Sequence, residues 1–279
     1  MHLMAALSYP NIDPTAIAIG PIEIKWYGLA YMAGLLLGWL YVRRLLATPS
    51  LWKDARAPLA VDRADDLLLF MTFAVIVGGR LGQVLLYEPS YYFAHPAEIL
   101  KTWHGGMSFH GAVVASAAVI FYFAHRFKVS VRTVMDLCCA ASPFGIFFGR
   151  IANFINSEHW GRITDASIGM VFPNGGPEPR HPSQLYEAML EGLVLAIVMR
   201  IMTHRALGLK RPGLVGGVWL VGYALARTVC EFFREPEAVN AFNIEPFTAG
   251  QIYSLPMLLL GIYFIASSRR QARMEQPSA

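Results

Sequence analysis

Long apolar stretches alternate with short polar segments along the whole chain. Each stretch is close to the ~20 residues that an α-helix needs to cross the hydrocarbon core of a bilayer. No internal repeat and no linker marks off a second domain, so residues 1–279 are predicted to form one membrane domain. Its predicted fold is an all-α polytopic bundle of about seven transmembrane helices. The predicted spans run over residues 26–42, 65–87, 108–124, 134–153, 184–203, 214–233 and 249–267.

The composition excludes an ordinary soluble globular protein. Hydrophobic residues make up 55% of the chain and charged residues only 15%, whereas charged residues are about 25% of a soluble domain. The net charge of +4 would suit a nucleic-acid partner, but membrane topology explains the basic residues better. We therefore expect a lipid bilayer as the surroundings of this chain and no nucleic acid as its partner.

Basic residues are concentrated in one of the two sets of loops between the predicted spans. The segments after the first, third, fifth and seventh spans hold fifteen lysines and arginines, and the opposite set holds five. The positive-inside rule then places the N-terminus outside and the C-terminus in the cytoplasm. The first residues do not show a basic region followed by an apolar region and a cleavage site, which is the order found in a signal peptide. We therefore expect the first span itself to direct insertion.

Unusual polar residues lie in the outer halves of the predicted spans. An ionisable residue in a span costs roughly 2.5–3.5 kcal/mol on insertion, so those that occur usually serve a function. Asp136, near the inner end of the fourth span, is the exception and is expected to anchor that end. The outer group consists of Tyr27, Arg80, His110, Arg150, Asn153, His181, Gln184, Tyr186, Glu187, Arg227 and Glu231.

Helical spacing aligns several of these side chains. Tyr223, Arg227 and Glu231 are each four residues apart and form one stripe, and Arg150 and Asn153 share a face because they are three residues apart. One interpretation is a self-satisfied Arg227–Glu231 ion pair that only holds the bundle together.

The other interpretation is that the arginines receive an anion, with Arg150 and Arg227 as the main candidates and Arg80 as a third. Arginine suits phosphate because its planar fork makes bidentate, charge-assisted hydrogen bonds. Soluble anions need no receptor inside a membrane, whereas a phospholipid headgroup does. The spacing therefore indicates a phospholipid site in the outer leaflet.

An ordered set of motifs resembles one family. The run from Gly149 to Gly161, GRIANFINSEHWG, is similar to the signature of the bacterial prolipoprotein diacylglyceryl transferases. Lys25 stands where some members of that family have a histidine. The other matching segments follow in the family's order and are WYGL at 26–29, GGMSFHG at 105–111, HPSQLYE at 181–187, Arg227, EFFR at 231–234 and GQ at 250–251.

This resemblance implies an enzyme of the bacterial cytoplasmic (inner) membrane, with its active site toward the outer leaflet. Its substrates would be phosphatidylglycerol and a prolipoprotein signal peptide that carries a lipobox cysteine. The diacylglyceryl group would move to the cysteine thiol, forming a thioether and releasing glycerol phosphate, as the first step of lipoprotein maturation. Attack at a saturated carbon needs no oxyanion hole, in agreement with the absence of a G-x-S-x-G motif. We expect no metal and no cofactor.

The resemblance also implies roles for individual residues. His110 is the candidate base, since histidine is the side chain best suited to accept a proton near neutral pH; a neutral histidine at a span end is the alternative. Arg150 and Arg227 are the candidates for stabilising the departing phosphate. The residues expected to bind or orient the headgroup are Tyr27, Arg80, Asn153, Glu158, Gly161, Tyr223, Glu231 and Arg234. His181, Gln184 and Tyr186 are expected either to contact substrate or only to start a helix.

Two other functional classes are less consistent with the pattern. A transporter or channel would place ionisable residues at both faces and at the midplane, whereas the inner halves of the spans hold little beyond Asp136. An assembly or scaffold protein would not explain the concentration of arginines in the outer leaflet. The sequence therefore favours the lipid-transferring enzyme.

Overall fold

The computed structural model describes residues 7–20, 22–102, 105–236 and 247–274. The α-helices are α1 (Trp26–Leu46), α2 (Arg63–Gly82), α3 (Pro89–Ala94), α4 (Phe109–Arg126), α5 (Val131–Ile155), α6 (Ser183–Glu187), α7 (Leu195–His204), α8 (Leu214–Cys230) and α9 (Ala249–Met274). Two π-helical segments, Gln83–Tyr87 and Ala188–Val194, extend α2 and join α6 to α7. Short 3₁₀ turns lie at Pro49–Leu51, Lys53–Ala55, Pro96–Leu100 and Gly208–Lys210.

All seven apolar stretches predicted from the sequence are helical in the structure except at two ends, residue 108 and residues 231–233, which lie outside the helices. Within the described ranges, four helices are long and apolar enough to cross a membrane: Trp26–Leu46, Arg63–Tyr87, Val131–Ile155 and Ala249–Arg270. Leu214–Cys230 is apolar but shorter. The mostly helical membrane fold is therefore confirmed, while the count of seven spans and their orientation stay predictions.

Two small β-sheets were not predicted from the sequence. The strands are β1 (Leu7–Ser8), β2 (Thr15–Ile19), β3 (Ile22–Lys25) and β4 (Met170–Val171). β1 pairs parallel with β4, and β2 pairs antiparallel with β3. β1, β2 and β3 precede α1 and β4 lies between α5 and α6, so the sheets add to the helical bundle without changing its class.

Small residues bring the helices of the bundle close together. The main pairs are α1 with α5, α2 with α4, and α8 with α9. In the first pair, a Cβ atom built on Gly34 would lie 2.7 Å from the Cα atom of Gly145. Such close contact between helix backbones is the usual means of association where lipid supplies no hydrophobic driving force. Gly34 and Gly145 thus meet at one crossing.

We expect Gly34→Ala to lower the free energy of unfolding by about 1–3 kcal/mol, because the added methyl group would force α1 away from α5. Gly145→Ala is the matched control at the same crossing, since its Cβ would meet nothing within 4 Å. The control should be neutral or stabilising by up to about 1 kcal/mol through helix propensity. Chemical unfolding in detergent measures both, and equal losses in the two variants would contradict the proposed packing.

The buried apolar core lies at one end of the bundle. Its fully buried members include Leu45 of α1, Phe123 of α4, Leu137 of α5 and Val215 of α8. Asp136 is also buried there, and its two carboxylate oxygens accept hydrogen bonds of 2.7 Å from the backbone N–H groups of residues 213 and 216. It therefore caps the start of α8, which confirms that it anchors this end.

Candidate active site

Six charged side chains meet at the other end of the bundle. We call this set the arginine–glutamate cluster. It draws on α5, on the continuous helical stretch Ser183–His204, on α8 and on the segment that follows α8. Its members are Arg150, Glu187, Glu191, Arg227, Glu231 and Arg234.

Glu187 is the centre of the cluster. One of its carboxylate oxygens lies 2.8 Å from Nε of Arg150, and the other lies 2.8 Å from Nη1 of Arg234 and 3.3 Å from Nη1 of Arg227. Its side chain is completely buried. One carboxylate thus fixes three guanidinium groups that come from three different parts of the chain.

Two further carboxylates complete the set. Glu191, one helical turn after Glu187, lies 3.4 Å from Nη2 of Arg150 and 3.6 Å from Nη1 of Arg227. Glu231 pairs with Nη2 of Arg227 across one turn of helix. The intrahelical Arg227–Glu231 pair considered from the sequence is therefore present, but it is only one of three carboxylate contacts to Arg227.

Burial differs between the two kinds of side chain. The three glutamates are 0–5% exposed, whereas the side chains of Arg150 and Arg227 are 21% and 16% exposed. The side chains of Arg150 and Arg227 therefore keep part of their surface accessible, whereas the carboxylates do not. Cations held in this way are placed to receive an anion from outside the cluster.

Two glycines make room for the glutamates. A Cβ atom on Gly192 would lie 2.7 Å from the Cα atom of Phe147, so this glycine lets the π-helical segment approach α5. A Cβ atom on Gly250 would collide with the carboxylate of Glu231. Both positions therefore require glycine. The contact with Glu231 explains why the GQ motif at 250–251 begins with this residue.

The signature run begins in the last turns of α5, and its final part, residues 156–161, folds into a tight turn beside the cluster. Nδ2 of Asn153 lies 3.2 Å from one carboxylate oxygen of Glu158, and Nδ2 of Asn156 lies 3.3 Å from the other. Gly161 donates its N–H to the carbonyl of His181 at 2.8 Å and forms a β-bridge with Arg234. The turn is thus tied to Arg234, a member of the cluster.

Both predicted tyrosines border the cluster. Tyr27 shares a hydrogen bond of 3.1 Å with Tyr31 and lies within electrostatic range of Arg150 and Glu158. Tyr223 lies within range of Arg150 and stacks on the ring of Trp219, with centroids 5.2 Å apart. Both tyrosines therefore lie close enough to Arg150 to be influenced by its charge, and their binding of a headgroup stays a prediction.

His110 lies outside the cluster. It is exposed at the start of α4, where Nδ1 shares a hydrogen bond of 2.7 Å with the hydroxyl of Tyr87. The ring of Tyr253 from α9 lies edge-on to it, with centroids 5.6 Å apart. In the part of the chain that the structure describes, its hydrogen bond and ring contacts are with aromatic residues rather than with the charged group.

Arg80 holds a loop in this structure. Its guanidinium donates hydrogen bonds to the backbone carbonyls of residues 98, 99, 101, 105 and 106 and lies 4.9 Å from the ring centre of Tyr92. These five bonds equal the five N–H donors of an arginine. The contacts therefore favour a role in shaping the loop that leads to His110 over the predicted contact with an anion.

The residues around the start of α6 hold the signature turn in place. Gln184 is completely buried and donates to the backbone carbonyl of Glu158, which leaves no surface for the predicted direct contact with substrate. His181 and Tyr186 share a hydrogen bond of 3.1 Å, and burial lowers the pKa of His181 below its ordinary value. The helix-start interpretation of this motif is closer to what the structure shows.

The sequence did not reveal the central role of Glu187 and gave no role to Glu191. The available signal was their spacing: two carboxylates four residues apart within an apolar helix share one face and need cationic partners. Within the described ranges, no three His, Cys, Asp or Glu side chains are grouped to hold a metal ion.

The chain is similar to one family of known proteins over most of its length. The family described as prolipoprotein diacylglyceryl transferase matches residues 14–267. A Rhizobium leguminosarum bv. trifolii protein named phosphatidylglycerol–prolipoprotein diacylglyceryl transferase is 45% identical over 276 residues, which is 98% of each chain. Proteins of the same name from Rhodopseudomonas palustris and Beijerinckia indica are 48% and 49% identical, covering 96% and 93% of this chain and 94% of each relative.

Proposed function

This chain belongs to the prolipoprotein diacylglyceryl transferase family, and we propose that its arginine–glutamate cluster binds the phosphate of phosphatidylglycerol during the reaction. The protein is a multi-pass membrane transferase that acts in lipoprotein lipidation. Its donor substrate is phosphatidylglycerol and its acceptor is a prolipoprotein. The acceptor atom that we propose is the thiol sulfur of the lipobox cysteine in the precursor's signal peptide.

The proposed step is a substitution at a saturated carbon. The sulfur forms a bond to the terminal glyceryl carbon of the diacylglyceryl group, and the bond from that carbon to the phosphate oxygen breaks. The thiol proton goes to a base, and glycerol phosphate leaves with the electron pair. Two kinds of help are needed: removal of a proton from a thiol of pKa near 8.5, and stabilisation of the charge that develops on phosphate.

The observation that carries the proposal is the combination of buried carboxylates and the partly exposed side chains of Arg150 and Arg227. Glu187 and Glu191 hold Arg150 and Arg227 at fixed positions before substrate arrives. Three arginines and three glutamates balance in formal charge, so the cluster needs no permanent counter-ion. Directed N–H donors on the open side then stabilise the leaving phosphate without reorganisation at the moment of transfer.

The proposed orientation places this cluster in the outer leaflet of the bacterial cytoplasmic membrane. Basic loops at the opposite end support this orientation through the positive-inside rule. Exported precursors would then meet the site on the outer side, and both substrates would be confined to the same leaflet. Such confinement supplies part of the proximity that a reaction between two substrates requires.

We propose His110 as the base that removes the thiol proton. His110→Gln should lower the rate of transfer by about 10²–10⁴-fold at neutral pH, the usual contribution of a positioned base. Phosphatidylglycerol binding should be retained, because His110 lies outside the cluster. Raising the pH should restore part of the rate in this variant, since the peptide thiol then ionises by itself.

Transfer to a lipobox peptide across a pH series measures this effect. Tyr87→Phe is the matched control, because it removes the hydrogen bond to Nδ1 of His110 and keeps the imidazole. Its loss should be smaller than that of His110→Gln. Full activity of His110→Gln at neutral pH would exclude His110 as the base.

The function itself is tested with purified full-length protein, phosphatidylglycerol and a synthetic lipobox peptide in detergent. Mass spectrometry should detect a diacylglyceryl adduct on the peptide, and the adduct should be absent when the peptide cysteine is replaced by serine. An adduct on both peptides would contradict the thiol as nucleophile. No adduct from folded, lipid-bound protein would contradict the transferase function and would favour transport instead.

A further inference from the structure

A second basic site lies at the end of the bundle opposite to the arginine–glutamate cluster. A cavity of about 750 Å³ opens there between α1, α5 and α7. Its walls include the side chains of Arg44, Arg200 and Arg205, and no carboxylate is among the residues that line it in the described part of the chain. We call this cavity the basic groove.

The distance between the two sites follows from helix geometry. Glu187 and Arg200 lie on one continuous helical stretch, Ser183–His204, and are thirteen residues apart. At 1.5 Å per residue, this separation corresponds to about 20 Å along the helix axis. The basic groove is therefore distinct from the site proposed for transfer and faces the other leaflet.

The groove also has an apolar side. Its wall between the arginines and the middle of the bundle is lined by apolar residues: Phe144 of α5, and Leu193, Ala196 and Ile197 on the neighbouring helix. Leu193 and Ile197 are exposed large hydrophobic residues. An arrangement with cations at the membrane boundary and apolar side chains toward its centre matches the two parts of a phospholipid.

A hydrogen-bonded network stiffens the polar end of the groove. The hydroxyl groups of Tyr41 and Thr203 lie 2.7 Å apart, and that of Thr203 lies 2.8 Å from Nδ1 of His204. The rings of Tyr41 and His204 are stacked with centroids 6.1 Å apart. The positive-inside rule explains basic residues at this end, but it does not explain why they converge on a cavity with ordered polar and apolar walls.

We propose that the basic groove binds an anionic phospholipid of the leaflet opposite to the reactive site. The phosphate would contact Arg44 and Arg200, and an acyl chain would lie along Ala196 and Ile197. Basic pockets between transmembrane helices on the cytoplasmic side are a recognised means of binding anionic headgroups. This proposal does not depend on the chemistry proposed for the arginine–glutamate cluster.

The test uses full-length protein stripped of lipid in detergent and titrated with phosphatidylserine or with zwitterionic phosphatidylcholine. Native mass spectrometry counts the lipids that stay bound. The double variant Arg44→Gln/Arg200→Gln should bind phosphatidylserine about thirtyfold more weakly, because each basic residue near an anionic lipid contributes a factor of roughly five. Phosphatidylcholine binding should not change.

Two further variants keep the test specific. Arg269→Gln/Arg270→Gln removes the same charge from the end of α9, outside the groove, and should bind phosphatidylserine as the unaltered protein does. Ala196→Phe fills the groove without changing charge and should weaken binding. Diacylglyceryl transfer and thermal unfolding should be unchanged in the Arg44→Gln/Arg200→Gln variant, which shows that it folds.

Equal losses in the two double-arginine variants would overturn the proposal, because the effect would then reflect only the charge of this face. Full binding by Ala196→Phe would also overturn it. Inorganic phosphate at millimolar concentration should not displace bound phosphatidylserine. Displacement by phosphate would overturn the proposal, because the groove would then bind a free anion rather than a phospholipid.

Discussion

Arg227→Ala is expected to lower kcat/KM for diacylglyceryl transfer by about 10²–10³-fold, the cost of removing one group that stabilises transition-state charge. Arg227 contacts all three glutamates of the cluster, and its side chain is 16% exposed. It is thus held by three carboxylates while part of its side chain stays accessible. Arg227→Lys keeps the charge but should also lose most activity, since an ammonium group cannot reproduce the bidentate fork.

The double variant Arg227→Ala/Glu231→Ala separates catalysis from structure. If Arg227 only neutralises Glu231, removal of both residues should restore transfer as well as stability. We expect stability to recover in part, because no unpaired carboxylate is left at position 231 although Glu187 and Glu191 still lack their contacts with Arg227, while transfer stays low. Rates and unfolding curves for the three variants provide the measurement, and a double variant with restored transfer would contradict a direct role of Arg227.

Glu187→Ala is expected to give the largest loss of stability among the cluster variants. One buried carboxylate contacts three guanidinium groups here, and loss of one partner from a buried ion pair costs about 3–5 kcal/mol. Glu187→Gln should also be destabilised, because an amide keeps the shape and removes the charge. Transfer should fall in both, since Arg150 and Arg227 lose the group that holds them.

Unfolding in mixed detergent and denaturant measures the effect, with two controls. Glu191→Ala should cost less, because its ion-pair distances of 3.4 and 3.6 Å are longer than the 2.8 Å contacts of Glu187. Glu23→Ala removes an exposed pair with Lys25 at 2.6 Å and should cost at most about 1 kcal/mol. A Glu187→Ala loss no larger than that of Glu23→Ala would contradict the central position of Glu187.

The helices and the location of the site could be predicted from the sequence because both depend on local pattern. Apolar length determines where a membrane helix forms. The intrahelical spacing of Arg227 and Glu231 requires no knowledge of neighbouring helices.

Partners across the bundle were harder to predict. In a membrane helix most faces are apolar, so periodicity does not fix its rotation, and the convergence of Glu187 on three arginines depends on that rotation. Arg80 has the residue type of an anion receptor, yet its donors are used by loop carbonyls whose course only the tertiary structure shows. The short strand β1 likewise depends on pairing with β4, a distant segment of the chain.

The most direct test of this account is the structure of the protein with bound phosphatidylglycerol, determined without the peptide so that no transfer occurs. The phosphate oxygens should lie about 2.7–2.9 Å from guanidinium nitrogens of Arg150 and Arg227, the usual length of a charge-assisted hydrogen bond. The glyceryl group should lie near Tyr27 or Tyr223. A phosphate bound away from both arginines, with the cluster's ion pairs unchanged, would contradict the assignment of this cluster to phosphate binding.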